Sequence, residues 1–152
     1  MKGYGVTFRR LTLATLAGLL LSGVLLIPTM LYMRMEFDVP WRLPGDARLW
    51  TVAAHTTLSY LVLGISGALW VVHMRAGWRM RRNHYSGSAM VACMALLALT
   101  GAGILYLGNE RLALGASGVH TVLGLLATLL FLYHFLIGRH RFVRGPVPRS
   151  ES

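Results

Sequence analysis

The chain has 152 residues, 55% of them hydrophobic, and a mean hydropathy of +0.57, which excludes an ordinary soluble domain whose core and polar surface must share the composition. Only 13% of residues are charged, yet the net charge is +10. These charges cluster beside long apolar runs, which is the pattern of membrane topology signals rather than of a nucleic-acid-binding face.

A bilayer-spanning helix needs about 20 mainly apolar residues. Four runs qualify, and they predict an all-α integral membrane four-helix bundle forming one domain over 1–152. The first is "LTLATLAGLLLSGVLLIPTMLYM", 11–33, with Pro28 expected to kink its outer third. Lys2, Arg9 and Arg10 before it resemble the start of an export signal, but "PTMLYMRME" after it lacks a small-residue cleavage pattern, so a retained helix is expected. The connection that follows, "RMEFDVPWRLPGDAR", is the longest, and its prolines and glycine argue against regular helix. The second span covers 49–74, the third 85–108 and the fourth 116–138. Cys93, the sole cysteine, sits inside the third as a small apolar residue, so no internal disulfide is available. Trp41 and Trp50 suit one interface and Trp78 the other.

Lysine and arginine placement predicts orientation. Lys2, Arg9, Arg10, Arg75, Arg79, Arg81, Arg82, Arg139, Arg141, Arg144 and Arg149 fall at one set of span ends. Only Arg34, Arg42, Arg48 and Arg111 fall at the other, with four of the five acids (Glu36, Asp38, Asp46 and Glu110). Both termini and "RAGWRMRRNH" are therefore expected to face the cytoplasm, in a multi-pass protein of the bacterial inner membrane.

Six histidines punctuate this scheme. His55 and His73 lie near the outer and inner ends of the second span, His120 and His134 near those of the fourth. Eighteen residues are about five helical turns and fourteen just under four, so each pair shares a face. If the faces oppose, His55 meets His120 in the outer half and His73 meets His134 in the inner half. Opposed neutral imidazoles are what axial ligation of a b-type haem requires, and ligation would offset the cost of a bare imidazole in hydrocarbon. With no CxxCH motif, such haem would be non-covalent. Anionic propionates would find Arg48, Arg42 or Arg111 outside and Arg75, Arg79 or Arg82 inside. Gly124, one turn from His120, leaves room for a porphyrin, as do Gly64, Gly67, Gly101 and Gly103, although glycines also serve helix packing. One mismatch stands: the helix-two pair spans roughly 27 Å and the helix-four pair roughly 21 Å, so tilt or a bend near Gly64 and Gly67 must absorb the difference. Otherwise His73 is the weak member and His84 its substitute. His84 and His140, beside arginines, are expected to be solvated.

The arrangement resembles the membrane-embedded dihaem b-type cytochromes, of the cytochrome b561 and four-helix respiratory cytochrome b kind, from Leu11 to Gly138. Their ligands come in pairs from the second and fourth helices, which implies two haem b groups on His55 with His120 and His73 with His134. "HTVLG" and "RRNHYSG…LALTGAGILYLG" also look like stretches of small b561-like proteins. The chain departs from the respiratory pattern in its longer helix-two spacing and in lacking the proline–glutamate–tryptophan–tyrosine quinol motif. Its first helix has no histidine, unlike the cytochrome b anchors of formate dehydrogenase and hydrogenase.

The resemblance implies transmembrane electron transfer between a quinol pool or cytoplasmic donor and a periplasmic or membrane redox partner. So small a chain is expected to be a subunit of an oxidoreductase rather than a whole enzyme. Two alternatives stay open: a haem-free anchor or assembly subunit, and a metal or proton transporter using the histidines. Transport paths usually add intramembrane carboxylates, and all five acids here lie outside the spans.

Overall fold

The computed structural model describes residues 5–80 and 84–143, apart from the side chains of residues 72, 73, 84 and 137–143. Helix α1 runs Val6–Met35 and α2 runs Gly45–Leu69. A π-helical turn, Trp70–Met74, then leads into a short α3, Arg75–Arg79. Helices α4, His84–Tyr106, and α5, Glu110–Val143, complete the chain. No strand occurs among the described residues. Four of these helices are long and apolar enough to cross a membrane, and in such a solvent every backbone group is satisfied within its own helix.

The helices overrun the apolar runs because polar turns cap them. Asn109 caps α5: its Oδ1 accepts the Leu112 amide at 3.1 Å, and Glu110 adds negative charge to the first turn, where the helix dipole favours it. The helix therefore starts at residue 110, not 116. Pro44 and Asp46 likewise set the start of α2 at Gly45, leaving 36–44 as the irregular part of the first connection. Helix α1 passes through Pro28 and ends at Glu36, whose left-handed φ of 57° lets the Phe37 amide reach back to the Leu31 carbonyl.

Among the described long helices, α1 packs along α2, α4 along α5, and α1 less extensively against α5. The result is two antiparallel hairpins joined along α1. The α1–α2 seam is built from small residues: Gly18 admits Leu58, whose Cδ1 would lie 3.2 Å from an added Cβ. On α1 the buried residues are all hydroxyls, namely Thr12, Thr15, Ser22 and Thr29. Small and hydroxyl residues let helices approach where lipid is as apolar as leucine. Apolar filling inside is sparse. Val62, Cys93 and Ala113 are the buried apolar residues among those described, while leucines such as Leu21, Leu99 and Leu129 face outward.

The π turn changes the geometry expected for the second span. It fits an extra residue into one turn, so it shortens the span and rotates everything beyond it. Counting 3.6 residues per turn from His55 to His73 does not hold across Trp70–Met74. The departure falls just past Gly64 and Gly67, and it acts in the direction that reduces the length mismatch.

Candidate functional site

His55 lies ten residues along α2 from Gly45, and His120 ten residues along α5 from Glu110. At 1.5 Å per residue both sit roughly 15 Å in from the same end of the bundle. Their rings meet across the space between the two hairpins, with centroids 6.2 Å apart and planes at 75°.

Each ring is held from the neighbouring helix of its own hairpin. His55 Nδ1 is 3.0 Å from Ser22 Oγ on α1, and the ring lies against Gly23, where an added Cβ would stand 3.1 Å from Cε1. His120 Nδ1 is 3.0 Å from Thr100 Oγ1 on α4, and its ring lies against Gly101, where the same distance would be 3.4 Å. The two hairpins thus use one device, a hydroxyl residue followed by glycine, to seat a histidine. His134, fourteen residues and about 21 Å beyond His120 on α5, repeats half of it. Its Nδ1 is 2.9 Å from Ser86 Oγ on α4, and Gly87 follows Ser86 but stands clear of any neighbour.

The remaining expected residues are less gathered. His73 falls in the π turn, and its side chain, like that of His84, lies outside the described residues, as does all of Arg82. Arg75 is exposed at the start of α3. Arg48 is half-buried two turns outward of His55 on the same face of α2, with its guanidinium against Met33 Sδ. Arg42 stacks its guanidinium 3.6 Å over the Tyr32 ring. Gly124 faces open space on the His120 side of α5, and Gly64 and Gly67 are open too, whereas Gly103 packs against Leu107 and Ala116.

Ser22, Gly23, Ser86 and Thr100 are the site residues that the sequence expectations omit. Their signal was present as Ser-Gly, Ser-Gly and Thr-Gly dipeptides in two apolar runs, readable only once the helix register is known.

The chemical capacity of the outer pair is narrow. Among the described residues, no three histidine, cysteine or acidic side chains gather as a metal site. A protein-only zinc centre takes three or four such donors. Two imidazoles on opposite sides of one metal ion, each bonded at about 2.0 Å, hold their ring centres roughly 6 Å apart. The chain matches no known family, no curated protein and no solved structure. Its site is read from its own chemistry.

Proposed function

We propose that the protein moves electrons across a membrane through b-type haem held between His55 and His120, with a second haem held by His73 and His134 toward the other face. The observation that carries this reading is the outer pair: two imidazoles at equal depth, ring centroids 6.2 Å apart, with no third histidine, cysteine or acidic side chain gathered there among the described residues. Such a pair would suit a metal whose remaining donors come from its own cofactor, as in an iron porphyrin. The sparse apolar filling and the opening beside Gly124 give a flat macrocycle room.

Haem would supply a reversible one-electron couple. The chain supplies the rest. His55 and His120 would hold the group between the hairpins and, by both binding its metal, would favour electron transfer over oxygen chemistry. Arg48, on the His55 face near the water boundary, would offer a cation to propionates, and Arg75 and Arg82 would do so at the other end. The apolar spans keep the site dry. The resemblance to b561-like proteins agrees with this role. It extends to an inner-membrane location, cytoplasmic termini, a quinol pool or cytoplasmic donor, and a redox partner on the far side.

Absorption spectra of the purified chain before and after dithionite test the reading. Sharp reduced α and β bands with about two haems per chain are expected. His55→Ala and His120→Ala should erase one spectral species, His73→Ala and His134→Ala the other. Protein that stays colourless when expressed with ample haem would leave the haem-free anchor as the better description.

A further inference from the structure

The histidine seats carry more than position. The hydroxyl of Ser22 lies 2.8 Å from the Gly18 carbonyl and 3.0 Å from the Leu19 carbonyl. That of Thr100 lies 2.8 Å from the Leu96 carbonyl and 3.2 Å from the Leu97 carbonyl. A hydroxyl has one proton, and carbonyls only accept, so in each seat that proton is directed to the backbone. The oxygen then faces its histidine as an acceptor. With an acceptor oxygen 3.0 Å away, each Nδ1 is the nitrogen that carries the hydrogen.

We infer that Ser22 and Thr100 are positioning residues that lock His55 and His120 as Nδ1–H tautomers, keep both Nε2 lone pairs free for a metal, and set the electron-donating strength of the two ligands. This rests on the haem reading for its electrochemical part and on hydrogen-bond chemistry alone for its tautomeric part. A ligating imidazole usually has its other nitrogen so engaged, which fixes ring orientation and raises basicity. Here the partners are hydroxyls from adjacent spans, and Gly23 and Gly101 let the rings lie close enough to reach them. A stronger donor favours the oxidised metal, so losing either hydroxyl should raise the reduction potential of the outer haem.

The test has two arms. In the first, ¹⁵N-histidine NMR of the full chain in micelles, prepared without haem, reads the tautomers. His55 and His120 are expected as Nδ1–H in the wild type, moving toward Nε2–H, the form favoured by free imidazole in water, in Ser22→Ala and Thr100→Val. In the second, redox titration of the haem-loaded chain should give a higher outer potential in those two variants, with Ser22→Thr and Thr100→Ser returning it to the wild-type value. Wild-type rings found as Nε2–H, or potentials unmoved in both truncations, would overturn the inference. The first arm needs no pigment, so it stands or falls separately from the haem reading.

Discussion

At the scale of single residues, glycine decides how near a histidine can lie to the neighbouring helix. A methyl group at Gly23 would stand 3.1 Å from His55 Cε1, tight enough that the ring must give by a few tenths of an ångström, while at Gly101 the approach to His120 is 3.4 Å. Gly23→Ala should therefore displace its ring and weaken pigment binding more than Gly101→Ala, as titration of each purified variant with haem would register. Overpacking of this kind costs about 1–3 kcal/mol, enough to lower affinity without unfolding the chain. Gly124 makes the complementary case. Its side faces open space, so Gly124→Ala should be tolerated, whereas Gly124→Leu should block the space beside His120 and abolish the outer species. Circular dichroism should report unchanged helix content. If Gly124→Leu bound haem normally, the macrocycle would have to lie elsewhere.

At the scale of helices, capping and register matter more than hydropathy. Asn109 closes a short turn between α4 and α5, and Asn109→Ala should cost about 1 kcal/mol, measurable as a lower thermal midpoint in detergent. The π turn offers a second test. Deleting Val71 removes its extra residue and rotates the helix beyond it by about 100°. The outer species should survive, since His55 lies more than four turns away, and the inner one should change. The four spans were legible because apolar runs of that length have few other uses. Their ends were not, because the caps at Asn109 and Pro44 extend helices into polar sequence where hydropathy falls silent. The meeting of His55 with His120 was legible from depth and helical phase alone. The π turn was not: Trp70–Met74 contains no proline or glycine to mark it. Nor were the seats, since pairing Ser22 with His55 requires the register of α1 against α2. Packing of Gly18 on Leu58 sets that register, and no single helix encodes it.

At the scale of the molecule, two hairpins are joined along α1, and among the described apolar residues only Val62, Cys93 and Ala113 are buried. A ligand that binds the folded chain would therefore contribute directly to stability, by about 2.7 kcal/mol at a free concentration one hundred times its dissociation constant. Thermal unfolding of the chain with and without haem should show a clear rise in midpoint on loading. The lysine and arginine distribution makes a further molecular prediction. In a Cys93→Ser background, a cysteine at Leu112 should react with an impermeant maleimide added outside cells, and one at Ala76 should not. Reversed labelling would invert the direction in which any partner is sought. Length has a consequence of its own. Helix α5 runs 34 residues, about 51 Å, against a hydrocarbon layer of about 30 Å. Even at a tilt of about 40° it must extend past the hydrocarbon as a stiff boom. A protein gripping that boom would apply torque straight down the axis to His134, so docking in water and the seating of that ring on Ser86 would be mechanically one event.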